Sequence, residues 1–388
     1  MSTRIAARMA AIEPFHVMDV LARAQELERQ GRSIIHMEVG EPDFPTPRPV
    51  VEAAARALRA GALPYTVALG LPALRQAISA FYARRYGIAV PPERVVVTAG
   101  SSAALLLAMG VLVDPGDQIL LADPGYPCNR QFVRLMGGEP RGVPVGPETG
   151  YQPTPELLER AWTGRTAGAL VASPANPTGA LIPADRLRGL VELVERRGGR
   201  LVVDEIYHGL TYGVDAPTAL ALSDQLFVVN SFSKYFDMTG WRIGWLVAPL
   251  PYVREIEKLA QNLFICAPTP AQHAALAALE PETLAILEER RAQLHARRDF
   301  LLPALRELGF SLPVVPEGAF YLYAGCERFS GDSFGFALEI LERAGVAVTP
   351  GRDFGEHQPE RHLRFAYTTS LEQLREAVER LRRFLAAR

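Results

Sequence analysis

Leu226-Phe-Val-Val-Asn-Ser-Phe-Ser-Lys-Tyr-Phe-Asp-Met-Thr-Gly-Trp-Arg-Ile-Gly-Trp-Leu-Val247 is the stretch on which the fold turns. Two apolar runs of strand length, residues 226–230 and 243–247, enclose a polar turn that carries Ser231, Ser233, Lys234 and Arg242. Working outward, similar runs recur at residues 201–204, 169–172, 119–122 and 95–98, and segments with helical spacing such as 103–113 and 185–196 lie between them. Short β-rich runs alternating with helices predict an α/β fold, a large, mostly parallel sheet domain covered by helices on both faces.

Toward the ends the character changes. A helix is expected over residues 20–30, closed by Gly31. From Thr283 a charged amphipathic helix leads into mixed strands and a last helix, with Leu371, Leu374, Val378, Leu381 and Leu385 on one stripe and Ser370 and Gln373 offering a capping box. The organisation read from this is an N-terminal arm and helix (1–44), a large domain (45–282) and a small C-terminal domain (283–388), the arm packing with the last to make a smaller α+β domain from both chain ends. The Arg pairs of the C-terminal helices are interleaved with Glu, which marks a solvated face.

Composition narrows the function. Forty-one Lys and Arg against 43 Asp and Glu leave a net charge of −2, so no global field gathers nucleic acid or an anionic membrane. Cys128, Cys266 and Cys326 form no CxxC pair, and the scattered histidines make no HExxH, so neither a disulfide framework nor a metal site is expected. No apolar run is long enough to span a bilayer. The N-terminus lacks an apolar core and a small-residue cleavage site, so it is expected to belong to a mature, cytoplasmic protein.

Ligands of an open α/β sheet bind beyond the carboxyl ends of the strands. The polar residues placed there are Gly100-Ser101-Ser102, Tyr126, Asn176, Asp204, Tyr207, Ser231, Ser233 and Lys234. Together they offer anion donors, an aromatic face, an amide, a carboxylate, a phenol and an amine, a set suited to an aromatic cofactor bearing a phosphate and a carbonyl. At these residues the chain resembles the fold-type I pyridoxal-phosphate enzymes of the class I/II aminotransferase family. The resemblance runs from Gly40-Glu-Pro-Asp-Phe44 to Arg364, through Asn176-Pro-Thr-Gly179, Asp204-Glu-Ile-Tyr207 and the segment 231–244, in the expected order.

The resemblance implies that Lys234 holds pyridoxal 5'-phosphate as a Schiff base and then moves the substrate Cα proton. Lysine suits this because its amine can lose its proton in a desolvated, cationic setting. Asp204 would pair with the pyridine nitrogen, and Tyr207 and Asn176 with the ring's phenolic oxygen. Gly100, Ser101, Ser102, Ser231, Ser233 and Arg242 would cup the phosphate. Tyr126 would stack on the ring, and Tyr65 would reach the phosphate from the neighbouring subunit of a homodimer. Arg364 would grip the substrate α-carboxylate bidentately, with Asn176 and the backbone of Gly40 as secondary contacts. Phe320 and Tyr321 resemble a small-domain strand near the substrate, and core packing accounts for them at least as well.

Two departures bear on the substrate. One aspartate-specific subgroup carries a lysine where Ser102 stands here, and Cys128-Asn129-Arg130 follows Tyr126-Pro where many relatives carry an aromatic residue. Arg130 is left as a candidate distal cation. The lean is toward a neutral L-amino acid (alanine, aliphatic or aromatic) with 2-oxoglutarate or pyruvate as acceptor. A β-eliminating carbon–sulfur lyase on the same scaffold is the alternative. A DNA-binding regulator that reuses the fold would need an added domain ahead of residue 40.

Overall fold

The computed structural model describes residues 3–61 and 63–388. Strand β1 (Ile35–His36) lies near the N-terminus and takes no part in the main sheet. That sheet has seven strands, β2 (Val95–Thr98), β3 (Gln118–Asp123), β4 (Glu139–Pro144), β5 (Thr166–Ala172), β6 (Arg200–Asp204), β7 (Phe227–Ser231) and β8 (Gly244–Val247). Their order is β2-β8-β7-β6-β5-β3-β4. Pairing is parallel from β4 through β7, whereas β8 runs antiparallel to both β7 and β2.

Alternate residues of each strand point to opposite faces, and both faces are dry. Val95, Val97, Leu120, Val171, Val203, Val228 and Trp245 enter one apolar layer. Val96, Ile119, Leu121, Leu170, Val202, Val229 and Leu246 enter the other, beneath the helices Gly100–Leu112 and Leu250–Leu263. Burial on both sides is why these strands read as unbroken apolar runs. Edge strand β4 (Glu-Pro-Arg-Gly-Val-Pro) escapes that reading, because its two prolines and exposed residues are tolerated only where one side of the ladder is unpaired.

A second, antiparallel sheet is built from β9 (Tyr321–Gly325), β11 (Thr349–Pro350) and β12 (His362–Ala366), and β10 (Val346–Ala347) pairs in parallel with β1. The first helix, His16–Arg29, begins four residues before its expected start and buries Val20, Ala24 and Leu27 against Leu341 and Ala347. Both chain ends thus make the smaller α+β unit. The long helix Pro281–Glu307 starts two residues before Thr283. In the last helix Ser370 Oγ accepts the Gln373 N–H at 3.2 Å, the Ser-to-backbone half of a capping box. Among the described residues no helix is long and apolar enough to cross a membrane.

Candidate active site

The carboxyl ends of β2, β3, β5, β6 and β7 open into a cleft of about 310 Å³, roofed by the smaller unit. Asp204 ends β6 and is buried, its Oδ1 accepting the Ile206 N–H at 3.0 Å. Burial pushes its carboxyl up to about 6, against the pull of that N–H and of Lys234. Lys234 stands in the turn after β7 and donates from Nζ to the Gly40 carbonyl at 2.6 Å. Burial lowers its amine to about 8; Arg364 and Arg242 push the same way, and Glu41 and Asp204 oppose them. A sizeable neutral fraction near pH 8 is the state a nucleophilic amine needs.

At one end of the cleft the helix Gly100–Leu112 begins with no side-chain cap, which leaves its first N–H groups facing the cavity with Ser101 and Ser102. Gly100 has φ +77°, and a Cβ there would lie 2.6 Å from Arg242 Nη2, so the glycine is what lets the guanidinium sit against the helix start. Gly244 is constrained likewise, its Cβ falling 3.0 Å from Ser101 N. Ser233 lines the cleft. Ser231 stands behind it, its Oγ donating to Ser233 Oγ at 2.9 Å and to the Ile243 carbonyl at 3.2 Å.

At the other end sits Arg364, in the middle of β12 and buried. It donates from Nη1 to Asn176 Oδ1 at 2.9 Å, and from Nη2 to the Glu38 carbonyl at 2.6 Å and to Thr349 Oγ1 at 3.1 Å. Its Nε has no protein partner, and its guanidinium lies 4.3 Å from the centre of the Tyr321 ring. Tyr321 and Tyr207 share a hydrogen bond of 2.8 Å between their hydroxyls. The Tyr321 hydroxyl would lie 2.1 Å from a Cβ at Gly40, so only glycine admits it there. Phe320 is core, packed edge-on to Tyr207. Tyr126 lines the wall of the cleft.

The profile of the family described as aminotransferase class I and II matches residues 32–381. This chain belongs to that family. A valine–pyruvate aminotransferase of Mycobacterium tuberculosis (strain ATCC 25618 / H37Rv) is 41% identical over 383 residues, 98% of each chain. An aspartate/prephenate aminotransferase of Thermus thermophilus is 38% identical, over 97% of this chain and 98% of its own. The crystal structure of an aminotransferase from Mycobacterium tuberculosis superposes on the whole of both chains with a TM-score of 0.97 at 40% identity. The protein is an enzyme that transaminates, acting on amino and oxo acids. The eliminating lyase is not favoured, since these relatives are named as aminotransferases.

Aminotransferases of this family depend on pyridoxal 5'-phosphate, which supplies a carbonyl for the substrate amine and a ring that takes up negative charge from its α-carbon. The cleft fits such a group. An amine, a buried carboxylate and an uncapped helix start beside an arginine surround one cavity.

One placement departs from the sequence reading, that of the candidate cation Arg130. Arg130 lies outside the cleft lining, its Nη2 on the Phe354 carbonyl at 2.6 Å and 4.0 Å from Asp123. Tyr65 is 79% exposed and outside this subunit's cleft. Tyr321, left open between a place near the substrate and core packing, is both buried and in the cleft. Beside it stand Phe15, Val17, Met18, Leu21, Glu38, Thr349, Asp353 and Phe354, which sequence reasoning missed. Only Glu38 had a signal, two residues before Gly40.

Proposed function

We propose that this aminotransferase exchanges the amino group between neutral, monocarboxylic amino acids and monocarboxylic 2-oxo acids such as pyruvate. Lys234 Nζ holds the cofactor and moves the proton at substrate Cα; its depressed basicity supports both roles. Asp204 holds a proton at the ring nitrogen. Tyr207 and Asn176 donate to the phenolic oxygen, Tyr126 covers the ring, and Gly100, Ser101, Ser102, Ser233 and Arg242 take the phosphate, with Ser231 fixing Ser233. Arg364 binds the α-carboxylate, and the ring of Tyr321 keeps its guanidinium in place.

One observation carries the substrate class. Lys234, Arg242 and Arg364 are the cations among the described residues lining the cleft, and each already has a task. A second substrate carboxylate would find none, while Phe15, Val17, Met18 and Leu21 offer an apolar wall to a neutral side chain. The valine–pyruvate relative supports the same class. A half-reaction screen by cofactor absorbance tests it. As donors, valine, alanine or phenylalanine should convert the cofactor with kcat/KM on the order of 100-fold or more above aspartate, and pyruvate should regenerate it ahead of 2-oxoglutarate. The reverse order would refute the class.

The assembly supported is a homodimer. Tyr65 is exposed together with its chain neighbours Leu63 and Val67, on a loop pinned by Thr269 Oγ1 to the Pro64 carbonyl at 2.9 Å and by Gln272 Nε2 to Thr66 Oγ1 at 3.1 Å. A fixed apolar loop carrying a tyrosine suits a partner's phosphate site. Light scattering that returned a monomer mass would refute this.

A further inference from the structure

Glu38 has no part in the chemistry described so far, yet it lies fully buried on the substrate side of the cleft. Its carbonyl accepts from Arg364 Nη2 and, at 2.9 Å, from Thr349 Oγ1, which fixes its backbone beside the carboxylate-binding guanidinium. Its Oε1 bonds His36 Nδ1 at 2.7 Å, and its Oε2 is buried with no hydrogen-bond partner. The other acids lining the cleft are engaged differently. Asp204 holds the Ile206 N–H, and Asp353 uses both oxygens to hold His16 N–H at 2.7 Å and Val17 N–H at 2.8 Å at the start of the first helix.

We propose that Glu38 is a specificity-determining residue that rejects substrates bearing a second carboxylate. The inference rests on the monocarboxylate reading of the cleft and gives it a cause. A second carboxylate brought into this part of the cleft would lose part of its water and meet a like charge, with no cation left to pair with it. Discrimination of this kind comes from a repulsive element set against the wrong ligand. His36 moderates the repulsion. It lies between Glu38 and Glu28 of the first helix, 3.1 Å from the latter, and its bond to Glu38 pushes it up to about 9, which keeps a positive charge beside Glu38 at neutral pH.

Calorimetric titration of the cofactor-loaded protein with butyrate and with succinate reads the effect without turnover. Wild type should bind succinate about tenfold more weakly than butyrate. In Glu38→Gln, which keeps the shape and removes the charge, that ratio should fall about tenfold, to near parity. His36→Ala removes the compensating charge at a part-exposed position, and should raise the ratio about threefold. A wild-type preference that Glu38→Gln retains would overturn the role of Glu38 and leave the substrate reading standing. Equal binding of the two acids by wild type would overturn both. Should Glu38→Gln fail to fold, His36→Ala still decides, and an unchanged or smaller ratio there overturns the proposal.

Discussion

The floor and the roof of the cleft are built on opposite plans. On the floor, each functional group stands within a few residues of a strand end of the main sheet, and neighbouring groups hold one another: Ser231 holds Ser233, and Gly100 seats Arg242. The roof is drawn from residues 15–21, 38–40, 321, 349–354 and 364, brought together by the pairing of β1 with β10 and of β12 with both β11 and β9. The floor leaves its helix N–H groups facing the cavity, whereas the roof leaves Glu38 Oε2 and Arg364 Nε without partners. On the proposed reading the floor holds the cofactor and the roof chooses the substrate.

The sharpest way to break this division is at Lys234. Lys234→Ala should lower single-turnover transamination by about 10⁴-fold or more with every donor, and borohydride should then fix no cofactor to the peptide containing residue 234. In the wild-type, cofactor-free protein the rate of pyridoxal phosphate capture should climb as pH rises through about 8, because the neutral amine attacks and the protonated one does not. A stopped-flow rate flat between pH 6 and 10 would contradict the assigned environment.

A roof substitution should read out in KM. Arg364→Lys keeps the charge but loses the fork, and should raise KM for the amino acid about 10- to 100-fold, with a smaller loss in kcat. A floor substitution should read out in cofactor affinity. Gly100→Ala places a Cβ at φ +77° against Arg242 and should weaken pyridoxal phosphate about tenfold, from about 1–2 kcal/mol of backbone strain, with KM for the amino acid unchanged. Tyr65→Phe removes one hydrogen bond to the charged phosphate and should cost about tenfold in cofactor affinity, roughly 1.5 kcal/mol, at the low end for a charged acceptor. Equal effects of Arg364→Lys and Gly100→Ala on KM would erase the distinction between floor and roof.

Short-range signals in the chain suffice for the sheet and most of the floor. Strands buried on both faces must be apolar throughout, so β2, β3, β5, β6, β7 and β8 stand out from the chain, and the motifs at their ends are local in sequence. The sequence also placed Arg364, through its resemblance to known enzymes. Only the tertiary structure decided which groups share the cavity. It brought Glu38, Tyr321 and the first turn of the N-terminal helix into the cleft, set Ser231 behind Ser233, and turned Arg130 away to the Phe354 carbonyl. The physical reason is range: periodicity and turn chemistry act over a few residues, whereas Glu38 and Arg364 are joined across 326 positions by the packing of two chain ends.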